Sequence, residues 1–194
     1  MKEFSLLKKF NWELLNSPIP APVIPPYKVY SALISQYGGD VPSTTIGDES
    51  INKGVTYTIV YLEPGDNLIP YGAPNNQVGT SFVCNKDVSP WGNPASVLSY
   101  NQGAPIVNVL ENTIGNLWFT YLTDGTYSCN SNGLFTTNKT TGNSEIYYSA
   151  DNDRVYYMYS KYLDINEFRI NSMQDTVSLN DALHDTFLEI RVYN

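Results

Sequence analysis

The chain has 194 residues, room for one ordinary domain with an appendage or for two small domains. Its 19 acidic and 11 basic residues give a formal charge of −8, which repels phosphate backbones and anionic membranes and argues against nucleic-acid or membrane-surface binding. Only 15% of residues are charged while tyrosine, threonine, asparagine and glycine abound, a composition suited to strands joined by many turns.

From Glu3 to Asn16 the pattern is helical, with Phe4, Leu7, Phe10 and Leu14 three or four residues apart along one face. Ser17-Pro18 stops it, because proline has no N–H and restricts the residue before it. Pro18, Pro20, Pro22, Pro25 and Pro26 then favour extended geometry and a semi-rigid tether. A lone helix of this length is marginal in water, and burying each apolar side chain would contribute roughly 1.5–3 kcal/mol only where another surface supplies the opposite wall. Residues 1–26 therefore read as a docking arm, with Phe4, Leu7, Phe10, Trp12 and Leu14 as its partner-docking side chains; the alternative is an arm folded back on its own body. Lys8, Lys9 and Glu13 interrupt the apolar run, so a secretion signal is not expected, and no later stretch has the length and apolarity of a membrane-spanning helix.

Beyond the tether, short stretches rich in Val, Ile, Tyr and Thr alternate with turn residues. Strands are predicted over Tyr27 to Ser35, over Val55 to Leu62 and around Phe82-Val83, with another over Ile106 to Leu110 ended by Glu111-Asn112. Leu117 to Leu122 and Thr126 to Cys129 flank Asp124-Gly125, a dipeptide that favours a type I′ hairpin turn. A second hairpin is predicted from Ser144 to Ser149 and Arg154 to Lys161 about Asp151-Asn152-Asp153, followed by a strand over Glu167 to Ile170 and a helical turn over Asn180 to His184. The final strand, Thr186 to Tyr193, sets Phe187, Glu189, Arg191 and Tyr193 on one face and Leu188, Ile190 and Val192 on the other. The expected fold is all-β, an antiparallel β-sandwich or barrel over 27–194 with a small β module inserted at 46–100 and an N-terminal helical arm.

The stretch Pro26-Tyr27-Lys28-Val29-Tyr30-Ser31-Ala32-Leu33-Ile34-Ser35-Gln36 resembles the opening of a small β domain of tailed-bacteriophage structural proteins, including those of crAss-like and other Bacteroidetes phages. Gly103-Ala104-Pro105, Val109 to Gly115 and the ending Phe187 to Tyr193 carry the same likeness. In that family the opening strand runs almost directly into the Gly-x-x-Ala-Pro turn, whereas here a long insertion intervenes. The insertion resembles a second cassette of phage structural proteins through Gly54 to Ile59, Gly65-Asp66-Asn67-Leu68, Tyr71-Gly72-Ala73, Asn76, Gly79, Phe82, Pro90-Trp91 and Ser96-Val97-Leu98. Family members carry Asp-Asp-Phe where this chain has Asp66-Asn67-Leu68, which weakens any acidic cluster there. The resemblance covers most of the body and implies a virion structural protein, displayed as a head fibre, capsid decoration or tail-associated component among other virion proteins. It brings no catalytic residues with it.

Reactive groups are sparse. His184 stands alone beside Asp185 with no nucleophile motif nearby, and one histidine with Cys84 and Cys129 does not supply usual zinc spacing. The two cysteines read as reduced structural thiols. Glu63 with Asp66, or Glu111 with Asp124, are nominal carboxylate pairs for glycoside hydrolysis. Asp151, Asn152 and Asp153 lack the calcium-loop pattern. No cofactor or metal is expected, and the chain reads as non-enzymatic. Virion appendages obey symmetry, so a homo-oligomer, dimer or trimer, is expected. The rival reading is a receptor- or glycan-binding module on the particle, with Tyr61, Tyr71 and Trp91 stacking on a host surface glycan; Trp118 reads as core with Trp91.

Overall fold

The structure is a computed structural model that describes residues 26–36, 44–149, 154–175, 177–179 and 182–194. In chain order its strands are β1 (Tyr27–Ser35), β2 (Thr44–Ile46), β3 (Thr56–Tyr61), β4 (Ser81–Val83), β5 (Val97–Tyr100), β6 (Ile106–Asn112) and β7 (Trp118–Thr123), then β8 (Thr126–Asn130), β9 (Thr140–Gly142), β10 (Ser144–Ser149), β11 (Arg154–Tyr162), β12 (Glu167–Gln174), β13 (Val177–Ser178) and β14 (Thr186–Tyr193). Among the described residues the one helical element is a 3₁₀ turn at Ile69–Tyr71. The fold is all-β, with three antiparallel sheets ordered β6-β1-β14-β9, β10-β11-β12-β8-β7 with β13 beside β12, and β2-β5-β3-β4. The expected arm, with Phe4, Leu7, Phe10, Trp12 and Leu14, lies outside the described residues, as do Asp151, Asn152 and Asp153.

The first two sheets form a β-sandwich. β1 and β14 pair from Tyr27↔Tyr193 to Ile34↔Thr186, and their alternation turns Tyr30, Ala32, Ile34, Leu188, Ile190 and Val192 inward. Facing them are Phe119, Tyr127, Cys129, Met158, Phe168 and Ile170 from the second sheet. β6 extends through Glu111 and Asn112, past its predicted end, because after a bulge at Ser31/Ala32 those residues pair with Ser31 and Tyr30. The β7–β8 hairpin forms, but only Gly125 has positive φ, 64°. A type I′ turn needs positive φ at both central residues, so the strands instead accommodate a register slip between Tyr121 and Thr123. Near the predicted helical turn, Ala182 and Leu183 are non-helical and buried, and the Leu183 carbonyl accepts the Gln36 N–H at 2.9 Å.

β9 and β10 are one stretch that changes sheet at Asn143. The Asn143 side chain substitutes for a strand, with Nδ2 donating to the Phe187 carbonyl and Oδ1 accepting the Glu189 N–H, while Glu145 accepts the Phe187 N–H. These bonds close part of the exposed edge of β14. Gly142 permits the crossing, because a Cβ there would run into the Phe168 ring and Ser160 Oγ.

The third sheet lies in sequence between β1 and β6 and has its own core of Ile51, Tyr57, Ile59, Leu68, Phe82, Cys84, Trp91 and Leu98. It packs on the sandwich. The Val107 N–H donates to the Gly54 carbonyl at 2.9 Å, the Phe119 N–H to Thr56 Oγ1 at 3.1 Å, and Asn116 Nδ2 to the Ser81 carbonyl at 2.9 Å. Gly54 sits at φ 85°, and a Cβ there would lie 2.7 Å from the Val107 carbonyl. Both thiols are free and buried, Cys84 in this small core and Cys129 in the sandwich, and burial raises the pKa of each.

Candidate functional site

Where the third sheet meets the sandwich, two loops define a cleft. On the sandwich side, Asn112 Oδ1 accepts the N–H groups of Ile114 and Gly115 at 3.1 and 3.0 Å, and its amide nitrogen donates to the Gly115 carbonyl at 2.8 Å. This Asx turn, with Gly115 at φ 133°, delivers the chain to Asn116 and then into β7. Since Leu117 and Phe119 are buried, strand alternation sends Trp118 to the outer face, where it is half-buried.

The opposite wall is the loop from Pro74 to Ser81. Asn75 Oδ1 accepts from the Gln77 N–H at 2.9 Å and from Thr80 Oγ1 at 2.6 Å, and Gly79 turns the chain at φ 85°. The cavity between the walls has a volume of about 290 Å³ and is lined chiefly by Asn75, Gln77, Thr80, Asn116, Trp118 and Asn132. A neighbouring cavity of about 380 Å³ shares Pro74 and Asn116 with it and reaches Tyr30, Val83, Val109 and Leu117. The Tyr30 hydroxyl is buried without a hydrogen-bond partner among the described residues, and its pKa is raised well above the usual phenol value, chiefly by burial and then by nearby Cys129. Among the described residues, no Asp, Glu, His, Lys, Arg or Cys lines either cavity. The cleft offers hydrogen bonds and apolar contact, and its walls hold no acid–base pair.

The candidate residues named from sequence lie elsewhere. Trp91 is 4% exposed and part of the third sheet's core, its Nε1 donating to the Gly47 carbonyl at 2.5 Å, so it presents no ring face for stacking. Tyr61 is 47% exposed, and its hydroxyl donates to Glu63 at 2.9 Å. Tyr71 is half-buried against the core, with the Lys86 ammonium 5.0 Å from its ring centroid. None of the three lines either cavity.

At least one member of each nominal carboxylate pair is occupied by local structure. Asp66 accepts from the Asn93 N–H at 2.8 Å and from Ser96 Oγ at 2.6 Å, fixing the approach to β5. Asp124 accepts from the Tyr121 hydroxyl at 2.8 Å, and Glu111 is exposed on β6. His184 is exposed, with its backbone N–H on Thr186 Oγ1 at 3.2 Å. Among the described residues no group of three His, Cys, Asp or Glu side chains is placed to hold a metal. Sequence reasoning missed the outward placement of Trp118; the alternation of Leu117, Trp118 and Phe119 was the signal that carried it.

Compared with protein-family models, with curated proteins and with solved structures, the chain matches none.

Proposed function

We propose that the protein is a non-enzymatic structural component of a bacteriophage virion, carried on the particle surface as a head fibre, capsid decoration or tail-associated element and docked through residues 1–26. The observation that carries this reading is the junction of arm and body. Pro26 leads directly into a central strand, its carbonyl accepts the Asn194 N–H at 3.0 Å, and the Tyr27 and Tyr193 rings lie 5.5 Å apart. An arm rooted there issues from one fixed corner of a two-core β body, the arrangement a displayed appendage needs. The likeness of both β1 and the inserted sheet to phage structural cassettes supports the same reading, as does the engagement of Asp66 and Asp124, one member of each nominal carboxylate pair, in local hydrogen bonds. Copies associate as a dimer or trimer in keeping with particle symmetry.

Deleting residues 1–26 tests the role of the arm. The truncated body is expected to keep its strand-type circular dichroism and cooperative melting, while its occupancy on assembled particles falls at least tenfold. Normal occupancy of the truncated protein would remove the docking arm from the account.

A further inference from the structure

We propose that the cleft between the inserted sheet and the sandwich is a binding site for a neutral oligosaccharide, with Trp118 as the stacking platform and the surrounding amides as hydrogen-bonding groups. This site is separate from the arm and does not depend on where the protein sits on a particle.

The chemistry of the walls selects the ligand. A sugar offers an apolar C–H face ringed by hydroxyls, and it is met by a flat aromatic ring beside fixed uncharged donors and acceptors. Trp118 supplies the ring, and its Nε1–H has no protein partner among the described residues. The amides on the two walls are held in opposite senses. Asn75 commits its oxygen to the Gln77 N–H and Thr80 Oγ1, which leaves its Nδ2 hydrogens as donors. Asn116 commits its nitrogen to the Ser81 carbonyl, which leaves its Oδ1 as an acceptor. The protein network fixes both orientations, so the donor and the acceptor are set before a ligand arrives. Gln77 and Asn132 are exposed at the rim and add amide groups of either sense.

Size and charge narrow the class further. A volume of about 290 Å³ sits near the lower end of the ~300–1,000 Å³ of small-molecule sites, room for a short terminal segment of a glycan. No cation among the described residues lines the cavity, so none of them balances a sialic or uronic acid carboxylate, and the chain's net charge of −8 disfavours acidic polymers in general.

The full-length protein, probed on an array of neutral and acidic glycans, is expected to retain neutral oligosaccharides and to give no signal with sialylated or uronic-acid ones. Titration with the strongest neutral glycan then compares Trp118→Ala with Asn132→Arg, the latter an exposed change that fills the cleft without touching the core. Each variant is expected to weaken binding at least tenfold, and deletion of residues 1–26 is expected to leave it within twofold. Asn132→Arg keeps the test decisive if Trp118→Ala misfolds. Absence of any neutral hit, preference for acidic glycans, or undiminished binding by the folded Asn132→Arg variant would each overturn the proposal. None of these results bears on particle docking, and loss of docking on truncation does not bear on the cleft.

Discussion

Tyr30 carries a polar atom that the fold does not use. Its ring packs 6.1 Å from that of Phe119 in the sandwich core, and the unpartnered hydroxyl was not legible in the sequence. A phenol in mid-strand looks the same in sequence whether or not an acceptor comes within reach. Tyr30→Phe is expected to raise stability by about 1 kcal/mol at pH 7 in urea denaturation, because the unsatisfied hydroxyl loses hydration on folding. The variant also has an alkaline signature. The folded-state pKa of Tyr30 is raised, so its contribution is intact below the ordinary phenol value near 10 and is lost as pH climbs above it, where the unfolded chain ionises and the folded one does not. Tyr30→Phe should therefore flatten the fall in stability above pH ~10; an unchanged slope would mean that the hydroxyl ionises freely in the native protein. The tryptophans teach the complementary lesson. Trp91 and Trp118 have the same bulk, but Trp91 is drawn into the small core from a loop that ties its Nε1 to the Gly47 carbonyl, whereas strand alternation on β7 turns Trp118 out to the cleft wall.

At the scale of elements, long strands were legible: β1 spans the residues predicted for it, and β14 alternates as its sequence does. The three-residue β2 and β9 and the two-residue β13 were not, since so short a run shows no period, and β2 and β9 owe their conformation to partners about fifty residues away. The turn at Asp124-Gly125 was right in place and wrong in type, because the slip at Tyr121/Thr123 absorbs the twist that a type I′ turn would otherwise supply. β9 also shows how much can depend on one missing methyl group. Gly142→Ala should drive Cβ into the Phe168 ring and cost about 1–3 kcal/mol through overpacking, lowering the melting temperature. A melting temperature unchanged within error would show that the crossing from one sheet to the other relaxes easily.

For the whole molecule, composition and turn density pointed to an all-β body, and the insertion was marked by the resemblance to phage structural cassettes, in which the opening strand runs almost directly into the Gly-x-x-Ala-Pro turn. What sequence left open was whether the insertion stands apart, because the bonds that join it, Gly54 to Val107 and Thr56 to Phe119, link positions more than fifty residues apart. The two free thiols lie one in each core and so report on each separately. Single-thiol variants Cys129→Ala and Cys84→Ala, labelled with a thiol reagent under native conditions, are expected to show Cys84 reacting faster, since the smaller core opens at lower cost. Equal rates would mean that the two cores open as one cooperative unit. The pairing of Tyr27 with Tyr193 has a mechanical side as well. Tension arriving through residues 1–26 travels along β1, which is gripped by β14 over eight residue pairs and by β6 over six, so the ladder is loaded in shear and its rungs share the strain. Tension applied between Pro26 and Asn194 would instead peel the same strands apart from one end, rung by rung. A body hung by its leader is thus pulled in the direction its central strand resists best.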